Sequence, residues 1–135
     1  MKNKKIVLVL LVAIIMIMFA ACGGGGAAKT PTLTDAHMTT ELNDNGNPAD
    51  TVDTYAATAE QFIITGQLKN APQTDCTFVW KKDGKEITKT TMKSGSMSPQ
   101  LIYSMIENKG TGSYSVDILI GTATTPAATI NFTVK

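Results

Sequence analysis

Between Thr74 and Lys82 the chain reads Thr-Asp-Cys-Thr-Phe-Val-Trp-Lys-Lys, which sets Cys76, Phe78 and Trp80 on one side and Thr77, Val79 and Lys81 on the other. A two-residue period of this kind belongs to a β-strand with one face in a core. The period recurs in Glu60–Lys69, where Phe62, Ile64 and Leu68 align, and in Ser113–Ile120, where Tyr114, Val116, Ile118 and Ile120 align. It closes the chain in Ala128–Lys135, with Ile130, Phe132 and Val134 inward. From Asp35 onward no window of ten or more residues follows a helical period. The domain is therefore expected to be all-β.

The remaining segments fit that frame. His37–Leu42 reads as a first strand with Met38 and Leu42 on one side. Glu86–Lys93, rich in Thr and Lys, is polar on both sides, as an edge strand should be. Gln100–Glu107 is a strand whose facing is ambiguous, and Asp50–Thr58 reads as a loop or an irregular crossing. Asn43–Pro48, Asn70–Gln73, Asp83-Gly84, Ser94–Pro99 and Asn108–Gly112 carry turn residues. Asp-Gly between two strand-like runs is a hairpin signal. Seven antiparallel strands in roughly 100 residues predict two sheets packed face to face.

Trp80 in the third strand and Tyr114 at the opening of the sixth sharpen the prediction. The run Gly112-Ser113-Tyr114-Ser115-Val116 resembles the tyrosine corner of immunoglobulin-like sandwiches. Residues 51–135 also resemble a widespread kind of bacterial and archaeal immunoglobulin-like envelope domain. The likeness lies in Leu68-Lys69-Asn70-Ala71-Pro72, Phe78-Val79-Trp80, the Gly-x-Tyr-x-Val strand and Phe132-Thr133-Val134. It implies a fold and a place, with no shared catalytic residues.

The amino-terminal part addresses location. Lys2, Lys4 and Lys5 precede an unbroken apolar run from Ile6 to Phe19, followed by Ala20-Ala21-Cys22. As a helix that run spans only about 21 Å, short of a hydrocarbon core of roughly 30 Å. A basic head, a short apolar core and small residues at the end mark a secretory signal. Phe19-Ala20-Ala21-Cys22 resembles the lipobox of bacterial lipoproteins, although Leu is commoner where Phe19 stands. The resemblance implies cleavage before Cys22 and a diacylglycerol on its thiol, hence an anchor in the cell membrane on its extracytoplasmic face. Residues 1–21 are then a signal peptide. Residues 22–34, rich in Gly, Ala and Thr, are expected to be a flexible tether. Residues 35–135 are expected to be the sandwich, a monomeric domain.

A search for chemistry narrows the function. Three of the twelve lysines precede Cys22, which leaves nine against eleven carboxylates, and there is no arginine. This argues against a nucleic-acid partner, since phosphate binding draws on clustered Lys and Arg. His37 is the single histidine and is expected at the start of a strand, away from any nucleophile. Cys76 is expected to be buried beside Phe78 and Trp80, where desolvation makes a thiol inert. With Cys22 lipidated, Cys76 has no disulfide partner. Asp44, Asn45, Asn47, Asp50 and Asp53 offer oxygens of the kind calcium takes. They lack the EF-hand spacing, and turn chemistry also accounts for them; both readings stay open. Met38, Met92, Met97 and Met105 with His37 have soft donors, but core and surface filling explains them better. No cofactor and no enzymatic activity are expected. Two functions remain: an anchored module that meets a protein or glycan through its loops or the Glu86–Lys93 edge, or a structural envelope lipoprotein without a ligand. An exposed aromatic or apolar patch on one sheet would favour the first.

Overall fold

The computed structural model describes residues 29–135. The expected signal peptide, the lipidation position Cys22 and most of the expected tether lie outside the described residues. Eight strands run in order: β1 Thr32–Thr39, β2 Thr54–Tyr55, β3 Gln61–Lys69, β4 Asp75–Lys82, β5 Lys85–Lys93, β6 Gln100–Glu107, β7 Gly112–Ile120 and β8 Ala128–Val134. There is no helix among the described residues. The strands form a three-stranded sheet ordered β1-β3-β6 and a five-stranded sheet ordered β2-β8-β7-β4-β5. This is an immunoglobulin-like sandwich.

Strand direction gives the sandwich two ends. Thr32 of β1 lies opposite Lys69 of β3, and Leu68 opposite Gln100 of β6. Cys76 lies between Met92 and Ile120. These residues mark the near end, where β1 sets out. Gln61 opposite Glu107, Lys82 opposite Lys85, and Gly112 opposite Val134 mark the far end.

Three expectations need correction. The tether does not reach residue 34, because β1 begins at Thr32 and pairs Leu33 with Leu68. Leu33 lies over Gly66 of β3: a β-carbon built on Gly66 would stand 2.8 Å from Leu33 Cδ1. One leucine and a strand glycine thus draw a Thr-rich stretch into the sheet. β1 then ends at Thr39, so Leu42 is not part of it and instead bridges Pro48. Second, the segment Asp50–Thr58 contains a short strand, β2, which makes eight strands rather than seven. Third, β2 pairs with β8 in parallel, Thr54 with Thr133 and Tyr55 with Val134, so the sandwich is not wholly antiparallel.

The inner faces meet in one core. Met38, Phe62, Ile64, Leu68, Phe78, Trp80, Ile102, Val116 and Ile118 are sealed from solvent. Phe132 sits at its aromatic centre, with ring centroids 5.0 Å from Tyr114, 5.1 Å from Phe62, 5.5 Å from Tyr55 and 6.4 Å from Trp80. Most of these pairs are edge-to-face, the arrangement that ring quadrupoles favour. The buried indole N–H of Trp80 donates across the sandwich to Ser104 Oγ at 3.2 Å, and Ser104 Oγ also shares a hydrogen bond with Thr90 Oγ1. One serine on β6 therefore joins β4 and β5 of the opposite sheet.

The turns follow their residues. Asp83 and Gly84 both have positive φ, +50° and +80°, as a two-residue type I′ hairpin requires. Asn70 takes φ +58°, a left-handed geometry that asparagine tolerates, and this seats Ala71 in the core. The Tyr114 hydroxyl donates to the Gly110 carbonyl at 2.6 Å, four residues back, which closes the tyrosine corner. The Lys82 ammonium covers the Tyr114 ring at 5.6 Å.

Candidate functional site

The two outer faces of the sandwich differ in chemistry. On the five-stranded sheet, β-register places Lys89, Val79, Asp117 and Thr129 in one row and Lys81, Ser115 and Asn131 in the next. Lys81 Nζ contacts Asp117 Oδ2 at 2.6 Å, and Thr129 donates to Asp117 Oδ1 at 2.6 Å. The Lys81 partner, then Thr129, hold the Asp117 carboxyl below the usual range. Lys89 meets Glu86 at 3.5 Å. This face mixes ion-paired and hydroxyl side chains with Val79 and Leu119, and Ile87 of β5 is 38% exposed.

The three-stranded sheet presents a different surface. One row across it is His37, Thr65 and Tyr103; the next is Thr39, Ile63 and Met105. Tyr103 is 43% exposed and Met105 42%. Between them and β1, Ile63 and Thr65 are buried, although both point away from the core. Gln67 and Leu101 continue the face toward the near end, both half-buried. The Thr65 hydroxyl is fully buried and has no hydrogen-bond partner. The result is an exposed pair, Tyr103 and Met105, beside half-buried His37, Gln67 and Leu101, with Ile63 and Thr65 covered beneath them.

β6 sits at the edge of its sheet, yet its side is partly closed. Met92 of β5 turns toward it, and the Tyr103 backbone N–H donates to Met92 Sδ at 3.3 Å. β5 is an edge strand as expected, with Lys85, Lys89 and Lys93 exposed along it. Edge lysines disfavour the addition of another strand.

The sequence candidates fall elsewhere. His37 lies on β1, half-buried, with Nδ1 2.7 Å from the Asp35 carbonyl. Cys76 is buried on β4; desolvation, then the Asp75 charge, push its thiol up to about 11. Asp50 Oδ1 accepts from the Thr39 hydroxyl and the Thr40 N–H, each at 2.7 Å, and Oδ2 accepts from the Thr40 hydroxyl at 2.6 Å. The Thr40 hydroxyl, the Thr40 N–H and the Thr39 hydroxyl, in that order, lower the Asp50 pKa. Asp50 is a clamp on the chain after β1. The Asn43 Oδ1 accepts from the N–H groups of Asn45 and Asn47, so the Asn43–Asn47 turn closes on itself. No group of three His, Cys, Asp or Glu side chains placed to hold a metal occurs among the described residues. The methionines do not converge: Met38 is in the core, Met92 faces inward on β5, Met97 stands in the β5–β6 loop and Met105 lies on the outer face.

Two shallow, open depressions, of about 360 and 320 Å³, lie beside β2. Thr51, Val52, Asp53 and Thr54 line the first. Tyr114, Asn131 and Thr133 add to the second. At the floor they share, the Thr54 hydroxyl donates to Asp53 Oδ1 at 3.0 Å. No helix among the described residues is long and apolar enough to cross a membrane.

No protein-family model matches the chain, and no curated protein matches it. Among solved structures it is similar to the solution NMR structure of the CARDB domain of a Pyrococcus furiosus protein. The two are 13% identical over 78% of this chain and 96% of that one, with a TM-score of 0.45.

Proposed function

We propose that this chain is a lipid-anchored protein of the cell envelope whose sandwich offers the outer face of β1-β3-β6 to a protein or glycan partner. The anchor rests on Phe19-Ala20-Ala21-Cys22 after a basic head and an apolar run. With acyl chains at Cys22 the domain is held on the extracytoplasmic face of the membrane, and two or more chains give stable anchoring. The binding reading is carried by one observation: Tyr103 and Met105, two residues apart on β6, stand exposed together on the outer face of the three-stranded sheet. An exposed tyrosine on a flat sheet suits either the ring of a sugar or an apolar side chain of a protein, because its amphipathic ring stacks and hydrogen-bonds at once. The reading assigns no catalytic step to any residue and no cofactor.

The test is photocrosslinking in intact cells. A photoreactive amino acid replaces Tyr103 in one strain and Thr129, on the other face, in a second. A specific adduct from position 103 that disappears with Cys22→Ala supports an anchored binding module. Equal adducts from both positions, or none from either, return the protein to the structural reading, an envelope lipoprotein without a ligand.

A further inference from the structure

We propose that the near end of the sandwich is a membrane-contact surface, which seats the domain on anionic lipid headgroups through Lys29, Lys69 and Lys93 and inserts Met97 into the interface. This deepens the anchored reading and rests on it, since a chain held at Cys22 brings the start of β1 closest to the bilayer.

The near end is built from the chain before β1, the turn after β3, the loop after β5 and the turn after β7. Hydrogen bonds bind the first three together. Asn70 Nδ2 donates to the Thr30 carbonyl at 3.4 Å, and the Asn70 N–H to Ser98 Oγ at 3.0 Å. The Gln73 N–H donates to the Gly95 carbonyl at 3.0 Å, and the Ser94 N–H to the Thr74 carbonyl at 2.8 Å. Gly95 and Ser98 are therefore held on either side of Met97. In this serine-rich loop Met97 projects with 72% of its surface exposed, well above Tyr103 and Met105. No packing need explains a methionine there. An apolar tip on a pinned loop, at an end that carries three exposed lysines, has the composition of an interfacial membrane contact.

Charge points the same way. Lys29, Lys69 and Lys93 are exposed at this end, and the segments 70–74, 94–99 and 121–127 carry no charge. Asp75 is the carboxylate nearest to them in the register, opposite Lys93. At the far end stand Glu41, Asp44, Asp53, Glu60, Asp83 and Glu107, in excess over the lysines there. The ends are about 25 Å apart, from eight residues at about 3.3 Å each. That is several times the Debye length of about 8 Å at physiological salt. An anionic surface therefore attracts the near end while leaving the acidic far end outside its field.

The test uses the chain from Cys22 onward, coupled through the Cys22 thiol to maleimide lipids in vesicles with brominated acyl chains. Cys76 is buried and stays unreacted. Met97→Trp reports contact at the near end and Thr111→Trp at the far end, each corrected for the buried Trp80. On vesicles containing phosphatidylglycerol, Met97→Trp is expected to be quenched severalfold more than Thr111→Trp. Loss of each lysine should weaken the seating about fivefold, so Lys69→Glu with Lys93→Glu, or high salt, removes the difference. Equal quenching at both positions, the same quenching on pure phosphatidylcholine, or indifference to the lysine changes would overturn the proposal. Mass spectrometry of the cellular protein reports separately on the anchor: a lipidated Cys22 without selective quenching sinks only the contact surface. An unmodified Cys22 with selective quenching sinks only the anchor.

Discussion

Two buried hydroxyls on the three-stranded sheet should respond to deletion with opposite signs. Ser104 Oγ accepts the Trp80 indole N–H at 3.2 Å. Ser104→Ala leaves that donor in the core with no partner, and a buried unsatisfied donor costs about 1–3 kcal/mol. The Thr65 hydroxyl is equally buried but makes no hydrogen bond. Thr65→Val replaces it with a methyl of nearly the same shape, and removal of an unpaired buried hydroxyl should return about 1 kcal/mol. For a domain of this size 1 kcal/mol moves Tm by roughly 4–8 °C. The two variants should therefore differ by at least about 8 °C, with wild type between them. Urea unfolding can be followed by the fluorescence of Trp80, the single tryptophan of the chain. An unchanged slope would confirm that the shift is one of stability rather than of compactness. A Thr65→Val protein less stable than wild type, or a Ser104→Ala protein within about 0.3 kcal/mol of it, would refute the polar accounting of the core.

Tyr114→Phe removes the hydrogen bond to the Gly110 carbonyl and should lower stability by about 1 kcal/mol in the same urea assay. Asp50→Ala frees the Thr40 N–H and the hydroxyls of Thr39 and Thr40; hydrogen exchange should show loss of protection at the Thr40 amide while β4 and β7 keep theirs. Because the Asp50 pKa is lowered in the fold, its contribution is present above the unfolded value and fades as pH drops through the folded one. Burial pushes Cys76 up to about 11 and Tyr55 to about 12, so both stay neutral in the fold after they ionise in the unfolded chain. Their contribution is complete below about pH 9 and is lost as pH rises toward 12, and Cys76→Ala with Tyr55→Phe should flatten that alkaline decline in thermal melts.

Much of this architecture is legible in the chain because its core strands obey one rule. Phe78 and Trp80, Phe62 and Ile64, and Tyr114 and Val116 alternate cleanly, and the Asp83-Gly84 hairpin and the tyrosine corner announce themselves by residue type. The illegible parts depend on partners distant in sequence. Leu33 is a lone apolar residue among threonines, and only the space above Gly66 makes it a strand residue. β2 has no periodicity at two residues, and exists because Thr54 and Tyr55 meet Thr133 and Val134. β6 is ambiguous because Ser104 stands inward while Tyr103 and Met105 stand outward, the reverse of simple patterning. That same inversion hides the candidate face. The available signal was the indole itself: a buried tryptophan needs an acceptor, and a hydroxyl on the facing strand provides one.

The excursion between β1 and β2 has a consequence for how such a chain can change. It is clasped at its base by the Val52 N–H on the Met38 carbonyl and by Asp50, while Asn43 ties the tip to itself. Extra residues spliced between Asn45 and Gly46 would extend outward beyond the clasp, and each doubling of loop length adds only about 0.6 kcal/mol. The fold thus carries a position where new sequence can be grafted, at the far end of the sandwich, without rewriting either sheet.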